Sequence, residues 1–256
     1  MGFSGADLEN LVNEAALLAG RLDRENVDMD SLLTSRDKIV LGSKREMVIG
    51  EEEKEIIAYH EAGHAVLASL LPNADPLDKV TIIPRGHALG ATEQIPGEDR
   101  HNFRESYLRD RIGVMLGGRV SEQLIFNEIS SGAEEDLKQA TRIARHMVTH
   151  WGMSEKLGPV AFRRGEEHIF LGKEMTQQRD YSEHFAEIID NEICSLIKGI
   201  EENITKILIE HMPQLKALAS TLLEKETLES DAIQQIVESE TQSKQKRSKP
   251  LETEPT

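Results

Sequence analysis

The sequence predicts a mainly α-helical fold with one small β-hairpin or sheet. Apolar residues recur at steps of three and four along most of the 256 residues, which is the spacing of one helix face. Aromatic residues make up only 4% of the chain and charged residues 30%, a composition that favours helices over strands. Runs of β-branched residues bounded by Pro and Gly are confined to a few short segments.

The first segment, residues 1–36, is predicted to be helical but too short to form a complete domain. Ser4 is a candidate N-cap, and Asp28 or Asp30 could begin a second short helix. Residues 37–52 include a dense run of charged side chains. We interpret them as a linker, the alternative being the exposed start of a helix.

Residues 53–240 follow with a longer series of predicted elements. Short strands are predicted over residues 80–84 and 88–95, joined as a hairpin through residues 85–87, with further strand signals at 160–162 and 169–171. The remaining segments are predicted helices, at residues 53–71, 104–126, 132–150, 182–209, 215–223 and 228–237. Residues 241–256 contain almost no apolar side chain, which predicts a disordered tail.

The composition also narrows the classes of function. Lys and Arg number 30 and Asp and Glu number 46, so the formal net charge is −16. Such a chain repels phosphates, and we expect neither a nucleic-acid partner nor direct contact of this chain with a membrane. No stretch approaches the roughly 18 apolar residues that cross a bilayer. The only cysteine, Cys194, excludes an internal disulfide, and its position on an apolar helical stripe predicts a small core residue.

The motif with chemical consequences is His-Glu-x-x-His, formed by His60, Glu61 and His64 on a predicted helix. Residues four apart lie on one face of a helix, so both imidazoles can bind the same Zn²⁺ ion, one per chain. The carboxylate of Glu61 lies one step around the helix, where it can take a proton from a zinc-activated water molecule. The alternative is a pair of partly buried histidines that hydrogen-bond to neighbouring groups.

A catalytic zinc site needs a third protein ligand and an open fourth position. The metzincin extension of the motif, which would supply a third histidine, is absent. Another common solution is an acidic side chain on a later helix, and Glu134, Glu135 and Asp136 are candidates. Ser131 and Glu134 have capping-box spacing, which predicts that a helix begins there. Acidic residues also favour the positive end of a helix dipole, so the spacing leaves the third ligand open.

Several segments along the chain match the sequence blocks of one known family. Residues 130–137, Ser-Ser-Gly-Ala-Glu-Glu-Asp-Leu, resemble that family's Thr-Thr-Gly-Ala-x-x-Asp-Leu segment, and residues 60–64 are similar to its zinc motif. Residues 117–122 and 152–159 are similar to further blocks, and residues 2–16 resemble the end of its AAA lid. Together these segments, spread over roughly residues 2–238, resemble the C-terminal part of the FtsH-type AAA proteases.

The resemblance implies a domain order and a set of roles. It implies a partial AAA lid at residues 1–36, a linker at 37–52, a helical zinc peptidase domain at 53–240 with its small hairpin or sheet beside the active site, and the tail at 241–256. It assigns His60, His64 and Asp136 as the zinc ligands and Glu61 as the general base of an endopeptidase. An extended substrate is expected along an exposed strand edge, for which residues 88–95 are the candidate, the alternative being an ordinary core strand.

The resemblance also implies partners and a location. The family acts as a homo-hexamer on unfolded or membrane proteins that its ATPase module delivers, from the cytoplasmic face of the bacterial inner membrane or an organelle equivalent. This sequence has no Gly-x-x-x-x-Gly-Lys-Ser/Thr loop and lacks the family's transmembrane helices. We therefore expect a soluble fragment that uses ATP only through a module outside it. The rival hypothesis is an interaction module with structural zinc or none, although no cysteine lies near the motif to support structural zinc.

Overall fold

The computed structural model describes residues 3–45, 47, 49–86, 88–95, 101–162 and 182–247. Within these ranges the chain forms eight α-helices and one three-stranded antiparallel sheet, which confirms the mainly α prediction. The helices are α1 (Gly5–Arg21), α2 (Met29–Val40), α3 (Glu51–Leu70), α4 (Glu105–Phe126), α5 (Glu134–Thr149), α6 (Glu183–Glu210), α7 (Met212–Lys225) and α8 (Ser230–Arg247). The strands are β1 (Leu77–Thr81), β2 (Ala91–Gln94) and β3 (Thr227–Glu229). None of the described helices combines the length and apolarity that a membrane crossing requires.

Helices α1 and α2 form a hairpin at the N-terminal end of the chain. Ser4 caps α1 through a capping box with Asp7, and Asp28 caps α2, as the sequence predicts. Helix α2 continues to Val40, so the first residues of the segment predicted as a linker are helical. The reason is tertiary: Asp37 accepts a hydrogen bond from the buried Lys79 of β1 at 2.7 Å, which holds the end of α2 against the sheet.

Helix α3 lies at the centre of the domain and packs against α4 and α7. It is buried along most of its length, because apolar and small residues surround it on several faces. The backbones of α3 and α4 touch where Gly63 faces Gly117. A Cβ atom added to Gly63 would lie closer than 3.0 Å to the carbonyl oxygen of Gly117. This close crossing brings the His-Glu-x-x-His helix directly against α4.

The sheet has the strand order β2-β1-β3, so β2 is an edge strand of the described sheet. Strands β1 and β2 pair antiparallel, with Val80 opposite Thr92, which confirms the predicted pairing. Residues 82–90 connect them, a longer connection than the predicted turn at 85–87. On the other side, Val80 of β1 lies opposite Leu228 of β3.

Three local predictions differ from the structure. Residues 227–229, in part predicted as helix, form β3, because pairing with β1 outweighs their local preference. Residues 160–162 are described and form no strand; the Phe162 backbone N–H instead donates to the Thr149 carbonyl oxygen at 2.7 Å. Residues 169–171 lie outside the described ranges. Helix α8 runs to Arg247, so residues 241–247 of the predicted disordered tail are helical. Their Gln, Lys and Arg content favours a helix, and residues 248–256 lie outside the described ranges.

The predicted burial of Cys194 is also wrong, because this side chain is exposed. The buried stripe of α6 consists of Ile189, Ile193, Ile200, Ile204 and Leu208. Cys194 follows Ile193 and is therefore rotated by about 100° out of that stripe.

Candidate metal centre

Three side chains from two helices converge, two of them buried histidines and the third a half-buried aspartate. His60 and His64 lie one turn apart on α3, and Asp136 lies in the first turn of α5. Asp136 Oδ2 is 3.4 Å from His60 Nε2 and 3.5 Å from His64 Nε2. Among the described residues these three form the only His, Cys, Asp or Glu group whose ligand atoms could all bind one metal ion.

The spacing of these atoms fits a zinc ion. Zinc lies about 2.0–2.1 Å from histidine nitrogens and carboxylate oxygens, so neighbouring corners of a tetrahedral site are about 3.3–3.4 Å apart. The two distances to Asp136, 3.4 and 3.5 Å, agree with that value. Two imidazoles and one carboxylate are also a donor set that suits zinc and leaves a fourth position open.

Hydrogen bonds from α4 orient both imidazole rings. His64 Nδ1 lies 2.7 Å from the carbonyl oxygen of Val114. A carbonyl oxygen only accepts, so Nδ1 donates and Nε2 is the nitrogen of His64 that can bind a metal once it is deprotonated. His60 Nδ1 contacts Glu122 Oε1 at 2.6 Å and is oriented in the same way. Gly118 makes room for the ring, because an added Cβ would lie closer than 3.0 Å to His60 Nε2.

The electrostatics of the cluster favour a cation. Burial lowers the pKa of His60, but the hydrogen bonds to Asp136 and Glu122 outweigh it and raise the pKa to about 10. Burial raises the pKa of Asp136, but the hydrogen bonds to His60 and His64 hold that pKa well below its usual range. Two carboxylates therefore stay ionised beside the imidazoles, and their charge is compensated by a proton or by a metal ion.

The carboxylate of Glu61 lies apart from this three-residue group. Glu61 is only 6% exposed, and its side chain faces the edge of the sheet. Thr92 Oγ1 on β2 donates a hydrogen bond to Glu61 Oε2 at 2.6 Å. Glu61 therefore lies beside the histidines but is not one of the three residues whose ligand atoms converge. This position suits proton transfer rather than metal binding.

The three acidic candidates of the sequence separate in space. Asp136 lies next to the histidines, whereas Glu134 forms an exposed ion pair with Lys138 and Glu135 is exposed. The predicted capping box of Ser131 and Glu134 is wrong, because Ser131 lies in a 3₁₀ turn over Ser131–Ala133 and α5 begins at Glu134. The Ser130 side chain instead accepts a hydrogen bond from the Gly132 backbone N–H at 3.1 Å.

Two residues with roles at this centre were not identified from the sequence. Glu122 is 2% exposed and uses both carboxylate oxygens, one at His60 and one that accepts from the Ser130 backbone N–H at 2.7 Å. Thr92 contacts Glu61 from a strand that is distant in sequence. The signals for Glu122 were its place within an apolar helical stretch and in the segment 117–122 that resembles a family block, but neither assigned it a role at the histidines, and no signal pointed to Thr92.

A His-Glu-x-x-His motif on a buried helix, joined by a carboxylate from a second helix, is typical of the zincin-type metallopeptidases. The fold and the site place this chain in that class. The chain belongs to Peptidase family M41, whose family model matches residues 47–236. The model of the AAA+ lid domain matches residues 1–34. Both matches confirm the resemblance to FtsH-type AAA proteases.

Curated relatives agree with the family assignment. The chain is 58% identical over 236 residues to the "ATP-dependent zinc metalloprotease FtsH" of Nitrosococcus oceani, covering 92% of this chain and 37% of the relative. It is 51% identical over 237 residues to the protein of the same name from Marinobacter nauticus, covering 93% of this chain and 37% of the relative. The identity to that of Syntrophotalea carbinolica is 50% over 236 residues, covering 92% and 36%. The chain thus spans little more than a third of the length of these relatives.

Proposed function

We propose that this chain carries a zinc-dependent endopeptidase domain. The observation that carries the proposal is the convergence of His60, His64 and Asp136 at distances that fit a tetrahedral zinc site, with the Glu61 carboxylate beside them. Membership of Peptidase family M41 and the zinc metalloprotease names of the relatives support it.

In this proposal each side chain has a separate role. His60, His64 and Asp136 hold the zinc ion. When bound, zinc supplies Lewis acidity that activates a water molecule and polarises the peptide carbonyl. Glu61 accepts the proton at its carboxylate and later donates it to the leaving amine. The burial of Glu61 and of both histidines limits competing contacts with bulk water.

We infer that β2 is the strand that receives the substrate. It lies at the edge of the described sheet, with β1 on one side, and Thr92 connects it to Glu61. An extended peptide can pair with such an edge through main-chain hydrogen bonds, which accept many sequences. This arrangement suits a peptidase that degrades unfolded polypeptides.

The proposal is tested with purified chain loaded with zinc and fluorescent casein as the substrate. Glu61→Gln should keep its zinc and lose cleavage by about 10²-fold or more, because the proton acceptor is removed. Asp136→Ala should lose zinc on dialysis, whereas Glu135→Gln, the exposed neighbour, should keep both zinc and activity. Wild-type cleavage by Glu61→Gln would contradict the assigned base. A zinc-loaded wild-type chain without any cleavage would favour the interaction module instead.

For the whole protein we propose an ATP-dependent protease that works as a homo-hexamer. The match of residues 1–34 to the AAA+ lid domain and the names of the relatives support an ATPase module in the longer protein. Unfolded and membrane proteins are the proposed substrates, on the cytoplasmic face of a membrane to which the longer protein is anchored. We expect the longer protein to degrade a stably folded substrate only with ATP, and this domain to cleave unfolded casein without it. Sedimentation of both would determine whether six copies assemble.

A further inference from the structure

The carboxylate of Glu61 is held by the sheet rather than by its own helix. Within the described residues, the hydroxyl of Thr92 is the side-chain donor to this carboxylate, at 2.6 Å from Oε2. The same hydroxyl lies 3.4 Å from the backbone carbonyl oxygen of Glu61. Because Glu61 is a buried residue, a hydrogen bond to its carboxylate is little weakened by competing water.

The two oxygens of Glu61 have different surroundings. Oε2 accepts from Thr92, whereas Oε1 has no hydrogen bond among the described residues. Oε1 faces Gly90, where an added Cβ would lie at 2.6 Å from it. A glycine at this position therefore keeps Oε1 open. The contact with Thr92 leaves Oε1 as the oxygen available to accept a proton.

Strand β2, which carries Thr92, pairs with β1 and makes side-chain contacts on both of its faces. Thr92 lies opposite Val80 in the pairing of β2 with β1. Consecutive strand residues point to opposite faces. The next residue, Glu93, accordingly contacts Arg36 of α2, with Nη2 at 2.8 Å from Oε2. A β-branched threonine on such a strand has few accessible rotamers, so its hydroxyl is fixed relative to the sheet.

We propose that Thr92 is a positioning residue for Glu61, which holds the carboxylate through Oε2 so that Oε1 faces the position of the scissile bond. The inference rests on the function proposed above and deepens it. Since β2 is also the proposed substrate strand, one element positions both the peptide and the proton acceptor. This coupling explains why a base on α3 is contacted by a side chain of an edge strand.

The first test compares Thr92→Val, Thr92→Ser and the matched control Thr227→Val in zinc-loaded chain with a fluorogenic peptide. Valine keeps the β-branched shape and the strand pairing but removes the hydroxyl. The Thr227 hydroxyl contacts that of Thr81 at 2.8 Å in the same sheet, away from Glu61. We expect Thr92→Val to lower kcat about tenfold or more, with KM and zinc content within about twofold of wild type. Thr92→Ser should restore kcat to within about twofold, and Thr227→Val should leave it unchanged.

Three results would overturn the inference. These are an unchanged kcat in Thr92→Val, a change confined to KM, and an equal loss of kcat in Thr227→Val. The last two would assign the residue to substrate binding or to general sheet stability. If wild-type chain does not cleave the peptide at all, the proposed function fails.

The second test measures the contact without using activity. Urea unfolding of metal-free chain is compared for wild type, Thr92→Val, Glu61→Ala and the double variant. We expect Thr92→Val to lower the unfolding midpoint when Glu61 is present and to have no further effect in the Glu61→Ala background. Additive effects would refute the contact, whether or not the zinc-loaded chain is a peptidase.

Discussion

Replacing Glu122 by glutamine tests how strongly the residues behind the histidines control metal binding. Glu122 is 2% exposed and accepts two hydrogen bonds, one with His60 Nδ1 at 2.6 Å and one from the Ser130 backbone N–H at 2.7 Å. A carboxylate has two acceptor oxygens, whereas glutamine has one acceptor oxygen and one donor amide. The variant can therefore satisfy only one of the two contacts, and its NH₂ group faces the other N–H.

The size of the effect follows from these contacts. A hydrogen bond to a charged group contributes about 1.5–3 kcal/mol, and losing a residue that orients a metal-binding histidine typically costs 10- to 100-fold in affinity, about 1.4–2.7 kcal/mol. We therefore expect Glu122→Gln to raise the zinc Kd by about 10- to 100-fold. The carboxylate that would balance the zinc charge is also lost, which acts in the same direction.

The assay is competition for zinc against a chromophoric chelator, with thermal unfolding to check that the variant is folded. Glu128→Gln is the matched control, because Glu128 is an exposed glutamate near the end of the same helix and should keep the wild-type Kd. A wild-type Kd in a folded Glu122→Gln variant would refute the argument that this carboxylate tunes the metal centre.

Two further predictions concern packing and buried charge. Gly63→Ala should lower the free energy of unfolding by about 1–3 kcal/mol, because the added Cβ would collide with Gly117. The control Gly199→Ala should be neutral or stabilising, because nothing lies within 4 Å of its added Cβ. Equal urea midpoints for the two variants would contradict this prediction. Lys79→Met should lower the free energy of unfolding by about 1–3 kcal/mol, because it removes the nearest cation, at 2.7 Å, from the buried Asp37 carboxylate and leaves Arg85 and Arg36, farther away at 3.7 and 3.9 Å. Adding Asp37→Asn should recover part of that loss in the same urea experiment, and a single variant as stable as wild type would count against the pair.

The helices were predictable because their signals are local. Ser4, Asp28 and Ser182 cap α1, α2 and α6 through side-chain contacts within three residues, so the chain carries these signals without any tertiary partner. The β1 and β2 pairing was predictable for a similar reason, since the two segments are close in sequence. Strand β3 was missed because it pairs with β1 from about 150 residues away, and periodicity contains no information on such a partner.

For the metal centre too, some features follow from local sequence and others depend on tertiary structure. The spacing of His60 and His64 places both rings on one face of a helix, so a two-histidine site follows from the sequence alone. Helix geometry could not distinguish Asp136 from its two acidic neighbours, and only the family resemblance pointed to it. In the structure, α5 packs against α4 and α6, and this placement brings Asp136 to the histidines and leaves Glu134 and Glu135 outside.

The sequence by itself determined the helical class, the His-Glu-x-x-His motif with its proposed base, the acidic segment that holds a candidate third ligand and the resemblance to the family. Tertiary structure decided how these parts meet. The Gly63 and Gly117 contact brings α3 against α4, Glu122 and the Val114 carbonyl orient the imidazoles, and Thr92 reaches Glu61 from β2. These contacts join residues that are 31 to 62 positions apart in the chain. Local spacing specifies where a side chain lies on its own helix or strand, whereas the partner across a gap of this size is selected by the packing of the whole core.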